Sequence, residues 1–129
     1  MEKRFICDLP WNHISVHPHS MTSICCAAKH SNGVSNAKEE NGDIITINDG
    51  IEETINSFSY KQIRKTMIEG GIPEACEGCH KVEQVGGFSK RLKDSNFNLD
   101  YDNLTSPDGS IKVNLTNVEL RLGNFCNLK

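Results

Sequence analysis

Pro73-Glu74-Ala75-Cys76-Glu77-Gly78-Cys79-His80-Lys81-Val82-Glu83-Gln84-Val85-Gly86-Gly87 is the most informative stretch of this 129-residue chain. Gly70-Gly71 stops a preceding helix, Pro73 opens a turn, and a short second helix is predicted to run from the cysteines to Gly86-Gly87. Two residues between Cys76 and Cys79 let both sulfurs point at one metal. At a helix start, backbone N–H groups are expected to face the sulfurs and favour thiolate over thiol. A thioredoxin-like redox pair has the same spacing, but the βαβ context that goes with it is not legible upstream.

Four further cysteines, Cys7, Cys25, Cys26 and Cys126, give the pair candidate companions. Neighbours on a strand point to opposite faces, so one of Cys25 and Cys26 is expected to join a site while the other packs as a small core residue. The composition asks for such a staple. Only 36% of residues are hydrophobic and 6% aromatic, a thin core that disulfides, metal or a partner must supplement. With 14 Lys+Arg against 17 Asp+Glu and a net charge of −3, nothing favours nucleic acid, whose binders carry basic surfaces. No apolar run approaches the roughly 20 residues that span a bilayer. The start, MEKRFICDLPW, lacks the apolar region of a secretory signal. The expected address is the cytoplasm, where thiols stay reduced and metal outranks disulfides. An all-thiolate site holds zinc or an iron–sulfur cluster, and spacing does not separate them.

Around this constellation the pattern is α+β. His13 to Val16 and Ile24 to Ala28 flank a polar turn, His17 to Ser20, as a β-hairpin. Ile44 to Ile47 reads as a brief strand before Asn48-Asp49-Gly50. Three- and four-residue apolar steps through Ile51, Ile55, Ile63, Met67 and Ile68 read as helix, with Ser59 as N-cap for Tyr60 to Glu69. Phe88 to Asp108 is polar, and Ser106-Pro107-Asp108-Gly109 is a turn. Ile111, Val113 and Leu115 alternate as a strand, and Val118 to Leu122 alternates again before Cys126. Lys61, Arg64, Lys65, Lys90, Arg91 and Lys93 read as solvated charges. His13, His17 and His19 could share a strand face, but no carboxylate or cysteine is placed to complete a second metal site with them. A strand that delivers Cys126 into a loop three residues before Lys129 leads us to expect an N-terminal fragment of a longer protein.

Cys7-Asp-Leu-Pro-Trp11-Asn-His13-Ile-Ser-Val-His17-Pro18-His19, leading to Cys25-Cys26, closely resembles the opening of the twitch/SPASM-like domain of radical S-adenosylmethionine (radical SAM) proteins. Ile55-Asn-Ser57, Ile63-Arg64 and Pro73…Cys76-x-x-Cys79 follow that pattern in order. Val118-Glu-Leu-Arg-Leu-Gly-Asn-Phe-Cys126 resembles the first barrel strand and the start of a CxxxCxxC motif, whose second and third cysteines would lie beyond Lys129. Ser20 stands where the family usually has glycine.

The resemblance implies an auxiliary cluster domain over residues 1–95, a connecting segment with a strand over 96–117, and the start of a truncated, partial (β/α) barrel over 118–129. It implies a hairpin and short helices folded around an auxiliary [4Fe–4S] cluster ligated by Cys7, Cys25, Cys76 and Cys79. Cys26 is the alternative to Cys25, and His80 a further candidate ligand or sulfur hydrogen-bond donor. Trp11 is expected to pack over the cluster. Cys126 would be the first of three ligands of a second [4Fe–4S] cluster that binds S-adenosyl-L-methionine, making the parent an enzyme although this chain is not catalytically complete. The chemistry implied is reductive cleavage of SAM to a radical that takes a hydrogen from a peptide or small-molecule substrate, with the auxiliary cluster moving electrons and a flavodoxin or ferredoxin as donor. Two other readings remain open: a structural four-cysteine zinc module acting as a non-enzymatic interaction domain, and a stand-alone iron–sulfur electron carrier.

Overall fold

The beginning and end of the described chain meet in one small sheet. A computed structural model describes residues 4–25 and 35–120. Strand β1 (His13–Val16) is central, with β2 (Thr22–Ser23) on one side and β3 (Asn117–Leu120) on the other. β2 returns antiparallel, pairing Ser15 with Ser23 and Val16 with Thr22. β3 runs parallel to β1, with His13 opposite Asn117 and Val16 opposite Leu120. A parallel pair needs a long crossover, and here the crossover carries nearly all the helices.

The expected hairpin is present, but its second strand is Thr22–Ser23, earlier than Ile24 to Ala28. The turn is a 3₁₀ segment, Pro18–Ser20. Ser20 itself takes a positive φ of 67°, the conformation that a glycine would adopt without strain. Residues 26–34, including Cys26, lie outside the described residues.

Helix α1 (Leu9–Asn12) precedes β1, and α2 (Ile51–Ile55) leads into α3 (Phe58–Ile68). α3 begins two residues before the expected start, with Ser57 at the N-cap. Ser59 is used otherwise: its hydroxyl donates to Asn36 O at 2.8 Å and accepts from Lys38 N–H at 2.9 Å, tying α3 to the 36–38 segment. Gly70, at φ 91°, ends the helix region as expected. The stretch from Pro73 forms a 3₁₀ turn, Glu74–Cys76, and α4 (Glu77–Gln84), also as expected.

Two predicted strands are absent from the described residues. Ile44 to Ile47 makes only single bridges, Lys38 to Ile44 and Met21 to Thr46. Ile111, Val113 and Leu115 keep their alternating burial, with Lys112 and Asn114 exposed. That segment makes one bridge, Thr105 to Ile111, because no neighbouring strand supplies a ladder. Three short helices were not legible: α1, α5 (Lys90–Asp94) and α6 (Tyr101–Leu104), the last two capped by the side chains of Ser89 and Asp100. The architecture is therefore α+β. The expected strand at Val118 is β3, which joins the hairpin's sheet; residues 121–129, including Cys126, lie outside the described residues.

Arg64, read from sequence as a solvated charge, is the largest fully buried side chain among the described residues. Its Nε donates to Gly109 O at 2.7 Å, Nη1 to Pro10 O at 2.9 Å, and Nη2 to Ile55 O at 2.7 Å and Asn56 Oδ1 at 3.2 Å. One guanidinium so joins α1, the end of α2 and the 106–110 turn. Burial pulls its pKa down to about 10, which leaves it charged at neutral pH. The turn fits closely: Gly109 has φ 93°, and a Cβ there would lie 2.3 Å from Lys61 O.

Candidate metal centre

Three separate segments bring Cys7, Cys25, Cys76 and Cys79 to the wall of one small cavity of about 20 Å³. Cys7 lies just before α1, Cys25 just after β2, Cys76 at the end of the 3₁₀ turn and Cys79 in the first turn of α4. Residues three apart on a helical turn share a side, so the local spacing of Cys76 and Cys79 aims both thiols the same way. Phe5, Leu9, Pro10, Ile24 and Ala75 fill the wall between the sulfurs, and Lys90 and Arg91 supply its charged residues. None of the four cysteines is disulfide-bonded to another.

Burial pushes the Cys7 thiol up, while the Ser95 hydroxyl and the backbone N–H of Leu9 oppose that rise. Ser95 Oγ lies 3.4 Å from Cys7 Sγ as donor, and accepts from Asp8 N–H at 2.9 Å. Asp8 is buried beside them, taking hydrogen bonds from Tyr101 Oη and from Asn96 N–H. The carboxylate so holds the 95–97 segment, and with it the hydroxyl, against Cys7. The Cys76 thiol is pushed well above its ordinary value by burial and then by Cys25, Cys7 and Cys79, with Arg91 opposing. Burial first, and the neighbouring sulfurs after it, so favour the protonated thiol at Cys76.

Arg91 is fixed on several sides. It grips Glu83 with Nε and Nη2 at 2.9 and 2.6 Å, donates from Nη1 to Ile6 O at 2.8 Å, and lies 4.5 Å over the Phe5 ring. Sequence reasoning missed this residue as well as Arg64; an aromatic at Phe5 and an acid eight residues upstream are too widely spaced to signal the contact. The Arg91 fork holds the Glu83 carboxyl below its ordinary range, with the Ser89 hydroxyl adding to the effect.

Other expected participants lie elsewhere. His80 does not line the cavity and packs edge-on against Phe5 at 5.5 Å between ring centroids. Trp11 does not line the cavity. It is buried against Tyr101, with Nε1 donating to Thr105 Oγ1 at 2.7 Å. His17 pairs with Ser23 Oγ at 2.8 Å and His13 Nδ1 with Asn117 Oδ1 at 3.3 Å. Among the described residues no group of three or more His, Cys, Asp or Glu side chains is arranged to hold a metal ion.

His13 carries a pH prediction. Its Nε2 is buried with no hydrogen-bond partner among the described residues. Burial holds the imidazole below its ordinary value, with Lys90 adding to that and Asn117, Glu119 and Asp94 opposing it. The unfolded chain therefore binds the proton more readily than the folded one. Its contribution to stability is full above the unfolded value of about 6.5 and is lost as pH falls from there toward the lower folded value. Urea midpoints measured between about pH 5 and 7.5 are expected to fall on the acid side, and His13→Gln is expected to flatten that slope. An unchanged slope in the variant would refute the assignment.

No helix among the described residues is long and apolar enough to cross a membrane. No family model, curated protein or solved structure matches the chain.

Proposed function

We propose that Cys7, Cys25, Cys76 and Cys79 hold an auxiliary [4Fe–4S] cluster, and that the chain is the cluster-bearing N-terminal part of a cytoplasmic radical SAM enzyme. The observation that carries the cluster reading is the shared cavity: four thiols from distant parts of the chain line one small, otherwise mainly apolar wall. The donor set fits the group. Soft thiolates select zinc, copper(I) or iron–sulfur centres. When bound, such a cluster supplies a site that gains or loses one electron.

The chain's own groups then have distinct tasks. Four thiols close the coordination shell, which suits electron transfer better than substrate binding. Ser95 donates toward Cys7 and stabilises its thiolate form. Phe5, Leu9 and Ile24 limit access of water to the sulfurs. Cys126 is proposed as the first ligand of the SAM-binding cluster, with a peptide or small molecule as substrate and a flavodoxin or ferredoxin as electron donor.

Anaerobic reconstitution with ferrous iron and sulfide, in a Cys26→Ser/Cys126→Ser background, tests the first half. The expected product is brown, oxygen-sensitive protein with about four irons and four sulfides per chain, and Cys79→Ser is expected to reduce that loading severely. A colourless protein that takes up one zinc and no iron would establish the structural zinc module instead. Reading the coding sequence past Lys129 tests the second half. Cysteines at the fourth and seventh positions after Cys126 complete CxxxCxxC, and other residues there would remove the SAM cluster.

A further inference from the structure

We infer that Arg91 and Glu83 form a fixed charge pair that sets the reduction potential of the centre at the four-thiol cavity, Arg91 favouring the reduced state and Glu83 opposing it. This deepens the cluster reading of the site and rests on it.

The geometry is unlike that of an ordinary surface ion pair, which is solvated, mobile and weak. The side chains of Arg91 and Glu83 are only 13% and 18% exposed. Arg91 lines the same cavity as the thiols. Two of its nitrogens grip both oxygens of Glu83, a third reaches Ile6 O, and its faces meet Phe5 at 4.5 Å and Phe97 at 5.6 Å. Glu83 is itself held by the Ser89 hydroxyl at 2.5 Å. Ile6 adjoins Cys7, and Glu83 follows Cys79 by one helical turn, so the pair spans two of the ligand-bearing segments.

Charge near a cluster acts on its potential because one-electron reduction adds a negative charge to the site. In surroundings of low polarity that effect falls off slowly with distance. An arginine stays protonated at any ordinary pH, so its contribution is constant. A nearby positive charge stabilises the reduced state and raises the potential. The carboxylate across from it has the opposite sign and moderates the rise. Lys90 also lines the cavity, but its ammonium is engaged with Asp94 at 2.5 Å.

The test is potentiometric. The 129-residue chain is loaded anaerobically with ferrous iron and sulfide, then titrated with dithionite in the presence of redox dyes while the charge-transfer absorption is followed. Arg91→Met is expected to give about tenfold less reduced centre at a fixed potential, which is ~59 mV toward negative values for one electron. Arg91→Lys keeps the charge and is expected to stay near the parent protein. Glu83→Gln is expected to shift the other way. That reversal of sign separates an electrostatic role from a structural one, since loosening the site by either substitution would move both in the same direction. Should Arg91→Met hold no cluster, the Glu83→Gln potential decides. Unmoved potentials, or shifts of one sign in both variants, overturn the inference while leaving the cluster in place. A parent chain that takes up no iron overturns the cluster reading, and this inference with it.

Discussion

Replacing Arg64 by methionine is expected to destabilise the protein by about 3–5 kcal/mol, because several buried acceptors lose a charged donor at once. The variant keeps much of the side-chain volume but abandons the carbonyls of Pro10, Ile55 and Gly109, while Asn56 Oδ1 loses one donor and keeps Ile111 N–H. Each acceptor left dry costs about 1–3 kcal/mol before relaxation. Small domains have only about 5–15 kcal/mol in total, so much of the margin would go. Arg64→Lys is expected to recover little, because one ammonium cannot reproduce the planar fork. Urea unfolding of the two variants against the parent checks this. A midpoint shift worth less than about 1 kcal/mol would show that Arg64 is not the tie between α1, α2 and the 106–110 turn.

Loading the four-thiol site is expected to raise the melting temperature by about 10–20 °C. Metal that binds only the folded arrangement contributes its binding energy to folding. Here it would join the segments around Cys7, Cys25 and the Cys76–Cys79 turn. Calorimetry of apo and iron–sulfur-loaded protein measures the shift, and Cys76→Ser/Cys79→Ser is expected to abolish it. If the four cysteines serve only as small core residues, apo and loaded samples melt together.

Much of the local structure was legible because it depends on neighbours in sequence. Gly70-Gly71 and Pro73 mark a helix stop and a turn whatever the remainder of the chain does. The hairpin at His13 and the Ser106–Gly109 turn are likewise written in a few adjacent residues. The three missed helices, Leu9–Asn12, Lys90–Asp94 and Tyr101–Leu104, are one turn or so long, too short for apolar periodicity to register. Ser57 and Ser59 were equivalent caps by type; the choice between them fell to Asn36 and Lys38, which engage the Ser59 hydroxyl.

The candidate site divides along the same line. Cys76 and Cys79 were a pair by spacing alone, since one helical turn separates them. Cys7 and one of Cys25 and Cys26 were candidate companions by residue type, the resemblance implied Cys25, and the cavity brings Cys7, Cys25, Cys76 and Cys79 together. By itself the sequence determined an α+β chain with a thin core, a helix-borne thiol pair and the turns around it. Only the tertiary structure decided that β3 lies parallel beside β1, that Arg64 is buried, and that Arg91 rather than Trp11 or His80 stands at the thiols. The physical reason is that helix ends and turns are settled by steric and hydrogen-bond preferences a few residues wide. The burial of a charge or the meeting of distant thiols depends instead on which carbonyls, carboxylates and rings the rest of the fold brings within about 3–5 Å.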